Sequence, residues 1–271
     1  MNGFDTIFLF KQKDGEWTSE PLEWHNRGFL FGDGLFETMV FRKNKIRFSG
    51  DHELRLLESA DILGLDRTGI SSIQEIEKKL NRDFPNSTGL RVRWNIYRSG
   101  QGKYSPLEHF TDETLQIEAY KNPDILKVNS FVSEKIRVGT ALWSNCKTLN
   151  SLTYVMANHE RINKKMDEVI LLSYEGLVSE AGSSNIFWVK DNVYFTPSLK
   201  CNCIAGVGRK QIIRKLTEQG IEIIEGEFLP VELIKADKIF TSNVTGVSYI
   251  QKIGDWEFDT DPDQFIVDVF D

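Results

Sequence analysis

The stretch "NCKTLNSL", residues 145–152, carries Lys147 with no acidic residue within several positions on either side. An extended apolar run precedes it and an amphipathic helix pattern follows it. Most other lysines sit in charged, solvated company, as in "RKNK" and "EIEKKL". A lysine with few charged neighbours and apolar flanks has its amine pKa lowered. A neutral amine is the form that Schiff-base chemistry needs. Lys147 is therefore the first candidate for covalent chemistry, and the stretches around it decide whether it has partners.

Three such stretches stand out. In "AGVGRKQII", Gly206 and Gly208 lead into a helix whose first amides and dipole make an anion site. Read alone, this loop is equally well a tight strand-to-helix turn. It is neither a Walker loop nor G-x-G-x-x-G. In "VSEAGSSNIF", Glu180 follows an apolar strand and precedes small polar residues. A carboxylate so placed is more often a cap or a surface acid. Its other use is as partner to a protonated heterocyclic nitrogen. In "IFTSNVTGVSYI", Thr241, Ser242, Asn243 and Thr245 cluster at a strand end. That suits the second side of an anion site, although a polar turn is the commoner meaning. Imine lysine, anion cradle and nitrogen partner are together the minimum set for pyridoxal phosphate.

Bulk properties narrow the class. The chain has 271 residues, 40% of them hydrophobic, enough for one large domain or two ordinary ones. A net charge of −7 argues against nucleic-acid and anionic-membrane partners. The start "MNGFDTIFLF" has no signal-peptide pattern, and no apolar run is long enough for a membrane span. Three cysteines fit a reducing compartment, so a cytoplasmic protein is expected. Cys201 and Cys203 form C-x-C without a second pair, which reads as two ordinary thiols and no metal site.

The elements are mixed α and β. Strands are expected in "DTIFLF", in "LFETMVFRKNKIRFS" around a turn at Lys43–Asn44, in "GLRVRWNIYRS" and in "TLQIEAY". "DHELRLLESADILGL" reads as a helix with Asp51 as N-cap, and "SIQEIEKKLNRDF" as a second. The polar stretch "KNPDIL" divides the chain into a smaller domain, 1–121, and a larger one, 122–271, that carries Lys147. Beyond it come a strand at 136–142, a helix at 151–165 and the strand "DEVILLSY". A hairpin, a helix stopped by Gly220 and the strands "IEIIEGEF", "KIFTSN" and "VSYIQKIG" complete the chain.

Order and spacing carry a resemblance. "RGFLFGDGLFET", "DHELRL", "KTLN", "SEAGSSNIF", "GVGRKQI" and "ADKIFTSNVTGV" resemble, in sequence order, the class IV aminotransferase family of fold-type IV pyridoxal-phosphate enzymes. The resemblance covers nearly the whole chain. It implies an α+β fold of two domains, like D-amino-acid aminotransferase, with the cofactor between the domains, and a homodimer acting on a small-molecule substrate. It gives Lys147 the imine role and Glu180 the ring nitrogen. Arg55, Val207, Gly208 and Asn243 match phosphate contacts, and Ile204 matches the apolar residue on the ring face. Gly208 and Asn243 stand where hydroxyl residues are usual.

Within the family, "KTLN", the short chain and Thr38 in "FET" resemble the 4-amino-4-deoxychorismate lyases, which release 4-aminobenzoate and pyruvate in folate synthesis. The tyrosine of branched-chain enzymes and the R-x-H pair of D-amino-acid enzymes are absent. The resemblance gives Thr38 a catalytic proton relay, which competes with a plain β-propensity reading. Phe36, Arg98 and Lys103 are then expected at the substrate, with Arg91 and Arg93 as further carboxylate candidates or a solvated strand face. Lys103 replaces an arginine of the lyase pattern "R-G-x-G-G-R-G-Y". An aminotransferase of the same family, acting on branched-chain or D-amino acids, is the alternative.

Overall fold

Two compact units make up the computed structural model, which describes residues 6–20 and 26–271. The first runs as far as Lys121 and also takes in Cys146–Asn150; the second holds Asn122–Asn145 and Ser151–Asp271. The sequence placed Lys147 with the second part, but its backbone pairs with a strand of the first.

In the first unit, β1 (Ile7–Lys11), β2 (Trp17–Thr18), β3 (Gly34–Arg42), β4 (Lys45–Ile46), β5 (Leu90–Arg98) and β6 (Thr111–Ala119) form one antiparallel sheet, ordered β2-β1-β6-β5-β3-β4. Asp5, at the head of the first expected strand, lies outside the described residues. Strict alternation in β5 puts Leu90, Val92, Trp94 and Ile96 on one face, all fully buried. Leu35, Met39 and Phe41 of β3 join them, and Leu56, Ala60, Ile73, Ile76 and Leu80 cover that face from α2 (Ser49–Leu63) and α3 (Ile73–Asp83). The short α1 (Arg27–Phe31) precedes β3.

Lys43 and Asn44 both take positive φ, 53° and 63°, the geometry of a two-residue hairpin turn. Asp51 does not cap α2. Phe48 occupies that position at φ 56° without a side-chain cap, and Asp51 lies in the first turn, where a carboxylate suits the helix dipole. Ser72 and Glu75 form a capping box on α3.

The second unit contains β7 (Leu126–Lys127), β8 (Ser130–Val138), α4 (Leu152–Asn163), β9 (Glu168–Ser173), β10 (Val178–Ala181), β11 (Asn185–Lys190), β12 (Val193–Pro197), α5 (Val207–Glu218), β13 (Ile223–Gly226), β14 (Lys238–Asn243), β15 (Gly246–Ile250), β16 (Lys252–Ile253) and β17 (Trp256–Glu257). They make a five-stranded sheet, β10-β9-β8-β16-β17, and a six-stranded one, β13-β12-β11-β14-β15-β7. Ile170, Ile186, Trp188, Ile239 and Ile250 belong to one apolar cluster drawn from both sheets.

Two strand expectations change here. The strand before Lys147 is 130–138, not 136–142, because β8 is fixed by parallel pairing with β9. "VSYIQKIG" is two strands: β15 belongs to one sheet and β16 to the other, with Gln251 between them. Periodicity reads the apolar run but not the change of partner.

Gly34 opens β3 where the backbone is tightest. A Cβ there would meet the Ile96 carbonyl oxygen and lie 2.7 Å from Tyr97 Cα. Both are backbone atoms and cannot swing aside. Gly34→Ala is expected to lower unfolding stability by about 1–3 kcal/mol, read from the urea midpoint.

Candidate active site

Lys147 is placed by backbone pairing. Phe36 N–H donates to the Lys147 carbonyl at 2.9 Å, and Leu149 N–H to the Gly34 carbonyl at 2.9 Å, around a bridge between Leu35 and Thr148. The lysine amine lies 4.5 Å from the centre of the Phe36 ring. The Arg93 guanidinium lies 3.6 Å from the same ring centre. Arg93 stands opposite Thr38 in the β3–β5 register, so the two side chains share the sheet face of Phe36. Arg93 Nε donates to Asn95 Oδ1 at 2.8 Å, and it has no acidic partner among the described residues. Arg91, two positions earlier, is paired with Glu118 at 2.5 Å.

The opposite face of β3 carries Glu37, 2% exposed among apolar residues. Arg55 grips its carboxylate with two nitrogens, Nε at 2.8 Å and Nη2, and His52 Nδ1 lies 2.7 Å away. Burial pushes the Glu37 carboxyl up, but the Arg55 charge and the His52 hydrogen bond outweigh it and bring it from the usual 4.5 to about 2. His52 is pushed down, first by burial, so it is neutral at pH 7 and donates from Nδ1; its Nε2 is buried without a partner among the described residues. The sequence singled out Arg55 but not its holders. Glu37 lies inside "FET", and alternation alone would have aimed it into the core.

Arg98, expected at the substrate, is engaged within the first unit. It is 6% exposed, its Nε on Asp33 at 3.1 Å. Nη1 donates to the Gly64 carbonyl and meets His109, and Nη2 donates to the Leu63 carbonyl. This guanidinium ties β5 to the end of α2. Asp33 also holds Arg27, whose Nη1 takes the carbonyls of Gly102 and Lys103. Lys103 thus has a pinned backbone and an exposed side chain.

The second unit holds the other candidates. Glu180 on β10 is 2% exposed. It accepts from the Tyr154 hydroxyl at 2.6 Å and from Ile204 N–H at 3.1 Å. Asn185 Nδ2 donates to the Ile204 carbonyl at 2.9 Å, so Ile204 is held at both backbone groups. Asn185 Oδ1 also fills the space a Cβ on Gly206 would need. Tyr154 carries no motif signal, and Asn185, although inside "SEAGSSNIF", has no role assigned by the sequence; the tertiary structure brings them to Glu180 and Ile204.

Gly206 caps α5 without a side-chain hydrogen bond, and the first helical bond is Lys210 N–H to the Gly206 carbonyl. The amides of Val207, Gly208 and Arg209 therefore precede the helix ladder. A Cβ on Gly208 would sit 2.9 Å from the Asn243 carbonyl oxygen and 3.0 Å from Ser242 Oγ. That Ser242 hydroxyl is buried without a hydrogen-bond partner among the described residues. The hydroxyl that Gly208 lacks is thus supplied beside it from β14. The Asn243 side chain is used otherwise, donating to Ser184 Oγ at 3.0 Å and accepting from Thr245 N–H at 2.9 Å.

An amine on a fixed backbone, a buried acid beside a phenol, and helix amides with an orphaned hydroxyl are donors for an imine, a ring nitrogen and a phosphate. That is the donor set of a pyridoxal-phosphate enzyme, and the residues present fit the group. Comparison with known proteins gives the same class. The chain belongs to the class IV aminotransferase family, whose model (amino-transferase class IV) matches residues 34–253. It is similar to the D-alanine aminotransferase of Bacillus licheniformis, 28% identical over 244 residues, covering 88% of this chain and 84% of that protein. It is also similar to the aminodeoxychorismate lyase of Vibrio harveyi, 24% identical, covering 84% of this chain and 86% of that protein. Among solved structures, the branched-chain aminotransferase of Thermoproteus uzoniensis superposes with a TM-score of 0.86 at 23% identity, over 99% of this chain and 94% of that one. The fold is that of the fold-type IV enzymes, and pyridoxal phosphate is the cofactor of this family.

Two outcomes are expected. Because the Glu37 carboxyl is lower in the folded chain, its pairing adds stability above about pH 4.5 that is lost as pH falls toward 2. In Glu37→Gln, stability near neutral pH should fall by about 3 kcal/mol, and the acid-dependent share across that window should vanish from urea titrations. Ser242→Ala should weaken pyridoxal-phosphate binding by about tenfold, seen as a raised dissociation constant in fluorescence titration.

Proposed function

We propose that the protein is a pyridoxal-phosphate lyase that cleaves 4-amino-4-deoxychorismate to 4-aminobenzoate and pyruvate. The observation that carries this reading is the cross-strand pair Thr38–Arg93 on the face where the Phe36 ring meets the Lys147 amine. It sets a hydroxyl able to pass on a proton beside a cation able to take a carboxylate. Burial first, then Arg91, push the Arg93 guanidinium down from its usual range, so a carboxylate brought to it gains from a poorly hydrated cation.

Pyridoxal phosphate, when bound, supplies an electron sink for the pair released at the amine-bearing carbon. Lys147 takes the proton from that carbon. Glu180 would accept the hydrogen bond of the protonated ring nitrogen, leaving the proton there. The amides of Val207 and Gly208 and the Ser242 hydroxyl would hold the phosphate, with Asn243 bracing the loop beside them, and the family resemblance gives Arg55 to the same group. Ile204 packs on the ring face. Thr38 hands on a proton as the pyruvate part departs, Arg93 and Lys103 take substrate carboxylates, and Phe36 lines the pocket. The enzyme works as a homodimer, as the family resemblance implies, and in the cytoplasm, as the three cysteines suggest.

The second reading, a D-amino-acid aminotransferase, is favoured by the D-alanine aminotransferases among the similar proteins. Thr38→Val separates the two, because it keeps shape and removes the hydroxyl. For the lyase, 4-aminobenzoate should form without any keto acid, and Thr38→Val should cut kcat by about a hundredfold with substrate binding nearly unchanged. Turnover of D-alanine that needs a keto acid, with no 4-aminobenzoate released, would establish the aminotransferase.

A further inference from the structure

Glu180 is approached from two sides within the second unit. On one side Tyr154, in the first turns of α4, donates its hydroxyl to Oε1 at 2.6 Å. On the other, Ile204 N–H donates to Oε2 at 3.1 Å. The tyrosine ring packs against the cluster of Phe131, Val138, Ala157, Val169 and Leu171, so its position is set by the core. Asn158, one helical turn on, donates to the Tyr154 carbonyl and to the Gly182 carbonyl, both at 2.9 Å. That side chain ties α4 to the loop just after Glu180, so helix and acid keep one register.

We propose that Tyr154 is a positioning residue for Glu180: its hydroxyl, donated from a ring anchored in the core, holds this carboxylate in one rotamer and in its charged form, the form that receives a protonated heterocyclic nitrogen. The inference rests on the pyridoxal-phosphate reading above. A phenol donating to a carboxylate stabilises the anion and makes it a weaker base. A weaker base leaves the shared proton on the ring nitrogen, where it is needed to draw electrons. Burial first, then the charge of Glu180 and the hydrogen bond, push the Tyr154 hydroxyl up, so it stays a donor across the working range of pH. Cys203 also faces Glu180; burial, then that same charge, push its thiol up to about 12, so it adds no second negative charge. Its Sγ is turned to the carbonyls of Pro197 and Ser198. Of these two titratable neighbours, the tyrosine is the one that donates to the acid.

The test uses the full chain with glutamate labelled at the carboxyl carbon and pyridoxal phosphate labelled with ¹⁵N in the ring. Glu180 is assigned by its loss in Glu180→Gln. In Tyr154→Phe, the Glu180 titration midpoint should rise by about one pH unit, and the ring ¹⁵N signal should move toward its unprotonated position. Cofactor dissociation should rise about tenfold. Placing 3,5-difluorotyrosine at 154, a stronger donor of the same shape, should move the midpoint the other way. A tyrosine that serves packing alone would leave the midpoint and the ¹⁵N signal unmoved in both variants, and that result overturns the proposal. Should the unaltered chain take up no pyridoxal phosphate, the cofactor reading fails, while the carboxyl titration still judges the tyrosine's hold on Glu180.

Discussion

The backbone pairing between residues 34–36 and 147–149 is the constraint on which the first unit's chemistry depends. Gly34 and Phe36 each exchange a hydrogen bond with the lysine segment, which fixes the Lys147 backbone against a strand rather than leaving it on a free loop. The strand itself is held by its core face, where Leu35, Met39 and Phe41 are almost fully buried. A one-residue slip of β3 would turn Phe36 and Thr38 inward and expose that core. The register that buries the core is therefore also the register that presents Phe36, Thr38 and Arg93 beside the lysine.

Buried charge is handled differently in the two units. In the first, Glu37 is a carboxylate within an apolar face, and a guanidinium and an imidazole from α2 together compensate it. Such a pair adds little net stability over apolar packing, but losing one member leaves a stranded charge. What it secures is the orientation of Arg55. In the second unit, Glu180 accepts from a phenol and an amide. These two donors hold the carboxylate in one orientation.

The anion cradle shows how one missing atom is supplied from elsewhere. Gly208 carries no hydroxyl, and the close approach of the Asn243 carbonyl leaves no room for a side chain. The Ser242 hydroxyl, 3.0 Å from where a Cβ would sit, is a buried polar group without a partner among the described residues. The helix start and the strand end are thus complementary, and each explains the other's composition.

Sequence alone determined the parts that follow from local rules. Alternation over 90–97 made β5, the apolar spacing of "DHELRLLESADILGL" made α2, and Lys43–Asn44 made a two-residue turn. The isolation of Lys147 from charge and the ordered motifs pointed to the cofactor and the family. Tertiary structure decided everything that depends on which surfaces meet. It moved Lys147 to the first unit, because strand pairing is made by a partner far away in sequence. It divided "VSYIQKIG" between two sheets, since an apolar run does not say which neighbours bury it. It spent Arg98 on Asp33 and two carbonyls, and left Arg93 without an acidic partner among the described residues, although both are arginines of one strand. It also brought Tyr154 to the acid and, from the polar cluster 241–245 that the sequence had marked, set the Ser242 hydroxyl beside the cradle. A phenol and a hydroxyl have no periodicity of their own, and what they do is set by the groups that packing places within hydrogen-bond reach.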